Sequence, residues 1–302
     1  MGRKRRGRDI SGWLLVDKPA GVTSKAVVSK VKWALNANKA GHCGTLDPAA
    51  TGVLAIALGE ATKTISYVTE ALKCYRFLVR LGAATDTDDA EGGVIAQSDL
   101  RPSDYDIQNA LSRFIGDIQQ IPPKFSAVKI DGERAYARAR QGQDFELNAR
   151  HLFVQSLLMI ARTDADHVEL EMVCGKGGYV RSIARDLGKH LSCYGHIQNL
   201  RRLWAGPFDV DECIRFDMIE DLAHTLELEN HLHPIEIGLQ NLPAGTCSQE
   251  SAQRLRNGNP APVILTEAKY DGLCWVAHQG HPIAIGEYRA GFLHPVRVFV
   301  LA

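Results

Sequence analysis

Residues 41–52 read Gly-His-Cys-Gly-Thr-Leu-Asp-Pro-Ala-Ala-Thr-Gly (GHCGTLDPAATG), and the rest of the chain is understood outward from them. Glycine and proline predict a loop, set between an amphipathic helix and an apolar strand over residues 53–58. Loops held by rigid flanking elements are where chemistry tends to sit. Asp47 precedes Pro48, which disfavours helical backbone, and the glycines at 41, 44 and 52 remove bulk around it. A substrate could therefore approach the Asp47 carboxylate closely. Spacing alone leaves a second reading open, in which Asp47 is a turn residue bonding its own backbone.

Upstream, residues 12–17 (GWLLVD) predict a short buried strand, Pro19-Ala20-Gly21 a turn, and Thr23 or Ser24 the cap of a helix with Val27, Val28, Val31 and Leu35 on one face. Downstream, a helix is expected over 61–72 and a strand over 74–81. The polar run TDTDDAEGG (85–93) suggests a hairpin turn or lid. Ser103 caps a helix that runs to Phe114 and is finished by Ile121-Pro122-Pro123. A strand, Asp-Gly turn and helix follow over 125–140, then strands over 151–160 and 167–174, and an amphipathic helix over 179–191. From Leu239 onward, regularly placed Gly and Pro separate short apolar runs, which suggests a small β-barrel of about 60 residues. Strands and helices do not alternate strictly, so the fold class is α+β. The expected organisation is a basic disordered tail (1–10), a main domain (11–239) and a C-terminal domain (240–302).

With 302 residues, 45% hydrophobic and 23% charged, the chain is ordinary globular protein and not disordered, collagenous or coiled-coil. No run approaches the roughly 18 consecutive apolar residues of a membrane helix, and the basic start has no apolar signal core behind it. The expected location is cytoplasmic. The cysteines at 43, 74, 174, 193, 213, 247 and 274 are scattered, odd in number and without a C-x-x-C pair, which fits reduced thiols better than disulfides or a zinc ribbon. Net charge is zero, but residues 1–40 carry ten basic side chains against two acidic, so a basic face on a neutral protein is allowed.

Other constellations are weaker. His42 beside Cys43 does not make a catalytic pair, since such pairs meet in space and not in sequence. His231-x-His233 and His278-x-x-His281 lack an obvious third metal ligand. Gly175-Lys176-Gly177-Gly178 fits neither established phosphate-loop pattern. Neither a cofactor nor a metal is expected. Arg181, early in the helix after that glycine run, is either a solvated arginine or a guanidinium kept beside a carboxylate so that it stays ionised.

Six segments, in order, carry a resemblance: DKPAGVTS (17–24), GHCGTLDPAATGVL (41–54), KCYRFLVRLGAATDTDDAEG (73–92), IPPKFSAVKIDGERAYARARQG (121–142), KGGYVRSIARDLG (176–188) and HIQNLRRLWAGPF (196–208). Together they resemble the bacterial TruB family of tRNA pseudouridine-55 synthases. The resemblance implies a mixed, largely antiparallel central sheet flanked by helices and loops, with a small PUA-like C-terminal barrel. It also implies isomerisation of one uridine in the tRNA T loop, with base flipping, N1–C1′ cleavage and re-formation of the bond through C5. On that footing Asp47 is the catalytic carboxylate, Arg181 its partner, and Tyr75 the aromatic that packs on the base and serves in proton removal. His42 helps to hold the flipped-out T loop, and Lys18, Tyr179 and Leu200 line the uridine pocket. tRNA is the expected partner, with no membrane, no obligatory protein partner and a monomeric chain. Gly178 departs from the family, which usually has Thr there.

Three alternatives are weighed against this. The related dyskerin group uses the same aspartate motif under guide-RNA direction, but the short chain without long charged tails favours the stand-alone enzyme. A nonenzymatic tRNA-binding module is disfavoured by retention of Asp47 with Arg181. A carboxylate glycosidase needs a second acid across the bond, and the acids at 86–91 suit a turn better.

Overall fold

The computed structural model describes residues 7–130, 132–265 and 272–301. In chain order the elements that build the site are β1 (Gly12–Lys18), α1 (Ser24–Ala34), β2 (Ala40–Cys43), β3 (Thr51–Leu58), α2 (Ile65–Glu70), β4 (Lys73–Leu81), the hairpin strands β5 (Ala83–Thr85) and β6 (Val94–Gln97), α3 (Asp104–Leu111) and β7 (Gly116–Gln120). They continue with β8 (Lys129–Ile130), β9 (Glu133–Arg134), α4 (Ala135–Arg140), β10 (Arg150–Arg162), β11 (His167–Cys174), α5 (Val180–His190) and β12 (Gly195–Ala205).

Among the described residues, eleven strands form one mixed sheet whose main path is β1-β3-β12-β4-β11-β10-β7. Most neighbours are antiparallel, but β3 and β12 run parallel and meet through only two residue pairs, Thr51 with Arg201 and Gly52 with Arg202. The two halves of the sheet are joined at this narrow seam, and the Asp47 loop enters β3 there.

The uninterrupted apolar runs in β1 and β3 require cover on both faces, since side chains alternate along a strand. Leu14, Val16, Leu54, Ile56 and Leu58 pack with Val27, Val31 and Ala34 of α1. Trp13, Leu15, Val53, Ala55 and Ala57 pack the other way, with Ile235, Leu239, Ile285 and Phe299. The last two come from the C-terminal part, a six-stranded, nearly closed sheet with its own core around the helix Gln249–Arg256. Two polar contacts add to the junction: the Lys63 ammonium donates to the Val298 carbonyl at 2.7 Å and the Val300 N–H to a Glu60 carboxylate oxygen at 2.7 Å.

The α+β architecture with a small C-terminal barrel is as expected, while several local expectations are corrected. Residues 40–43 are strand, paired to β3, so the loop begins only at Gly44. The helix expected over 61–72 breaks into a 3-10 turn (Gly59–Lys63) and the short α2, because the Thr62 and Thr64 hydroxyls bond the carbonyls of Gly59 and Ala61. The helix after Ser103 has the expected cap and closes in a 3-10 turn at Phe114, as expected, but Gly116–Gln120 then forms an edge strand on β10. Of the tail expected over 1–10, residues 1–6 lie outside the described residues. Arg8 is fixed by an ion pair with Glu229 at 2.6 Å and by backbone bonds to Asn36 and Asn38, so residues 8–10 join the folded body. All seven cysteines are free, five of them buried. Burial pushes the thiols of Cys74 and Cys174 up to about 11 and about 12, so they remain protonated and inert.

Candidate active site

The conformation of the Asp47 loop is imposed from below by residues 17–24. The Ser24 hydroxyl donates to the Leu46 carbonyl at 3.0 Å and accepts the Leu46 N–H at 2.9 Å, while Thr23 takes the capping role for α1. On the other side of Asp47, the Pro48 carbonyl accepts from the Gly21 N–H at 2.9 Å and from the Lys18 ammonium at 3.0 Å. Both neighbours of Asp47 are thereby clamped, and its side chain is left free to point outward.

Lys18 is fully buried beneath this loop and is not part of the pocket wall. Its three N–H bonds go to the carbonyls of Pro19, Val22 and Pro48 at 2.7 to 3.0 Å. Burial lowers its pKa to about 8, against the nearby Asp47 charge, which raises it.

Arg181, at the start of α5, brings its Nη2 to 2.9 Å from an Asp47 oxygen. The guanidinium is 8% exposed and the Asp47 side chain 43%, so the pair is anchored on the protein side and open on the other. Three further contacts hold Arg181: the Asp89 carboxylate at 3.3 Å, the Thr87 carbonyl at 3.1 Å and the Phe125 carbonyl at 3.0 Å. Asp89 is itself pinned by the Thr87 hydroxyl at 2.6 Å and the Glu91 N–H at 3.1 Å. The β5–β6 turn is therefore a hairpin, as expected, with a function that its polar composition does not reveal: it supplies the second carboxylate behind Arg181. Next to it, Asp88 pairs with Arg185 at 3.0 Å.

Tyr75 on β4 and Tyr179 at the N-terminal end of α5 both lie close enough to Asp47 to feel its charge, and burial pushes both phenols up. The Tyr179 backbone is fixed by the buried Gln120 side chain, which accepts its N–H at 2.9 Å and donates to its carbonyl at 3.0 Å. At Gly178 an added Cβ would come within 2.7 Å of the Cys174 sulfur, so Cys174 fills the space a side chain would need there. His42 on β2 is partly buried, and its Nδ1 has no hydrogen-bond partner among the described residues. Burial and the Arg202 charge lower its pKa, which favours the neutral ring. Leu200 sits on β12 at the seam, and its carbonyl accepts from the Thr51 hydroxyl at 3.4 Å.

The structure thus joins Arg181 to Asp47 and sets Tyr75 and Tyr179 near enough to feel the Asp47 charge, while His42 lies on β2 and Leu200 on β12 at the seam. Sequence reasoning assigned no role to Asp89 or Arg202. Arg202 is 1% exposed on β12 and donates to the Val53 and Gly44 carbonyls at 2.9 and 3.2 Å, bracing the loop from behind. Its strand explains Gly52, which has φ +102° and where a Cβ would lie 2.1 Å from the Arg202 carbonyl oxygen. The signal in the sequence for Arg202 was the basic pair Arg201-Arg202 inside the segment HIQNLRRLWAGPF.

A half-exposed carboxylate backed by a buried arginine, beside aromatic side chains at the seam of a mixed sheet, can bind a planar base and stabilise positive charge developing on a sugar. Solved structures with this architecture include a chain of an H/ACA ribonucleoprotein bound to a substrate RNA containing 2′-deoxyuridine (TM-score 0.75, 21% identity, 100% of this chain and 92% of that chain). A chain of a Cbf5-Nop10-Gar1 complex is also similar (TM-score 0.73, 24% identity, 96% and 84%). The fold is that of the pseudouridine synthases. The models for the TruB family pseudouridylate synthase N-terminal domain and the tRNA pseudouridylate synthase B C-terminal domain match residues 32–180 and 181–240. The chain is 65% identical to tRNA pseudouridine synthase B of Ruegeria pomeroyi over 99% of both chains, and 45% identical to that of Caulobacter sp. over 100% of both. It belongs to the TruB family of pseudouridylate synthases. No helix among the described residues is long and apolar enough to cross a membrane.

Proposed function

We propose that the protein isomerises uridine to pseudouridine at position 55 of the tRNA T loop, acting in the cytoplasm as a monomer without an obligatory protein partner. The observation that carries this reading is the Asp47–Arg181 pair, 2.9 Å apart, with the carboxylate open and the guanidinium buried. A uridine stacked in its loop hides the bonds to be broken, so it must be flipped out at a cost of a few kcal/mol. Tyr75 and Tyr179 offer flat surfaces that offset this cost, and His42 and Leu200 border the opening.

In the site, Asp47 stabilises the positive charge that grows at C1′ as the N1–C1′ bond breaks. Arg181 keeps the carboxylate oriented and balances its charge, so no solvent reorganisation is needed at the moment of bond cleavage. The freed base turns, C5 bonds to C1′, and Tyr75 receives the C5 proton. The C-terminal barrel, packed on β1 and β3, extends the RNA-binding surface beyond the T loop.

The test is to incubate the purified protein with an unmodified tRNA transcript and map pseudouridines by carbodiimide labelling and primer extension. One modified uridine, at position 55, is expected. Modification at another position or none at all overturns the reading.

A further inference from the structure

Arg202 is a buried charge that the scheme above leaves unused. Its guanidinium forms no ion pair among the described residues and bonds instead to two backbone carbonyls. Burying a cation without a carboxylate is expensive, so a well-packed apolar side chain would brace the loop at lower cost. The fold nevertheless makes room for it: at Gly44, φ +72°, a Cβ would stand 3.3 Å from the Arg202 Nη1. Arg202 is also the direct cross-strand partner of Tyr75, β12 against β4. Side chains of directly opposed residues on one sheet face are close neighbours.

We propose that Arg202 is a positioning residue for the proton-removal step, its guanidinium stabilising the Tyr75 phenolate that accepts the C5 proton. The inference rests on the assignment of Tyr75 as the base. The step balances as follows. The Tyr75 phenol first releases its proton to water; after C5 has bonded to C1′, the C5–H bond breaks and the proton passes to the phenolate oxygen. The electron pair enters the C5–C6 bond, the charge moves to N1, and N1 takes a proton from water. No oxidant or reductant is consumed.

The surroundings show why a cation is required. Burial acts against the charged phenolate, and the Asp47 carboxylate from the loop acts in the same direction, while the neighbouring Cys174 thiol on β11 stays protonated. Arg202 opposes them, and it is the principal charge near Tyr75 that does so. Burial lowers the pKa values of Lys18 from β1, His42 from β2 and Lys73 from β4, and the same cation adds to each shift, while it opposes the rise that burial gives the Cys43 thiol. All four groups feel one buried positive charge.

The experiment compares wild type with Arg202→Lys and Arg202→Met in single-turnover reactions on tRNA carrying protium or deuterium at uridine C5. For Arg202→Met the expected results are a rate lower by about 100-fold, tRNA affinity within about twofold of wild type, and a primary isotope effect absent from wild type. Its rate should recover as pH is raised, because phenolate then forms without the cation; Arg202→Lys should retain an intermediate rate. A slow variant with no isotope effect and no recovery at high pH overturns the proposal, since that marks a loop-bracing role alone. Should both variants fail to fold, 3-fluorotyrosine at position 75 in the Arg202 protein decides: its more acidic phenol must move the pH–rate profile to lower pH, and an unmoved profile overturns the proposal. Tyr75→Phe is the control for the underlying assignment. If that variant shows no isotope effect and full rate, the Tyr75 reading itself fails; if it shows the effect and Arg202→Met does not, only the role of Arg202 is lost.

Discussion

Arg181 and Asp47 meet at 2.9 Å with opposite exposures, 8% and 43%, so the cation is fixed and the anion is presented. Asp47→Asn preserves the shape of the loop, whose bonds run through Leu46 and Pro48, while removing the charge. Turnover should be abolished and tRNA affinity nearly unchanged, measured by tritium release from [5-³H]uridine tRNA and by filter binding. A variant within roughly tenfold of wild type, about 1.4 kcal/mol in barrier, would refute the assignment.

Arg181→Lys should lower the rate by roughly 100-fold, about 2.7 kcal/mol, with a small change in KM. A point charge cannot span Asp47, Asp89 and two carbonyls as the planar fork does. Asp89→Asn should act in the same direction but less strongly, because Thr87 and Phe125 still hold the guanidinium. If kcat and tRNA affinity fell together in either variant, Arg181 would be a binding residue instead.

Lys18 gives a pH signature in stability. Its folded pKa of about 8 lies below the ordinary 10.5, so between these values the unfolded chain holds more protons and folding stability rises with pH. Urea denaturation of wild type minus Lys18→Met should therefore show a difference that grows by about 2 kcal/mol from pH 7.5 to 9.5. A flat difference would mean that Lys18 keeps its charge throughout. At every pH the variant should be less stable, since three carbonyls lose their shared donor.

Phe299, 1% exposed in the junction with Trp13 and Leu15, ties the C-terminal barrel to the catalytic sheet. Phe299→Ala should cost about 3 kcal/mol and separate one thermal transition into two, read by scanning calorimetry. With a loosened barrel, KM for full-length tRNA should rise while that for an isolated T stem-loop stays the same. Equal effects on both substrates would show that the barrel adds nothing to RNA binding.

Much of this was legible in the residues. The apolar run in β1 and the capped α1 follow from periodicity, and Asp47 is marked by a glycine-lined turn before proline. Two strands and one side chain were hidden, each for a physical reason. β12 carries two register shifts, between Ile197 and Asn199 and between Arg202 and Trp204, which scramble the alternation that identifies a strand. β7 lies at the sheet edge, where Gly116, Asp117, Gln119 and Gln120 need little apolar character. Asp89 sits in a run of small polar residues that any solvent-exposed turn could have, and only docking against α5 distinguishes it.

By itself the sequence determined the kinds of element, the loop that bares Asp47 and the family pattern, because these depend on local backbone preference and on spacing along the chain. Tertiary structure decided which charges meet. Asp47 and Arg181 are separated by 134 positions, Asp89 and Arg181 by 92, and Tyr75 and Arg202 by 127. Lys18 became a support beneath the loop and not a wall of the pocket through the same long-range packing. Burial, and with it the strength of every charge in the site, is a property of the assembled sheet and cannot be assigned to a segment before its neighbours are in place.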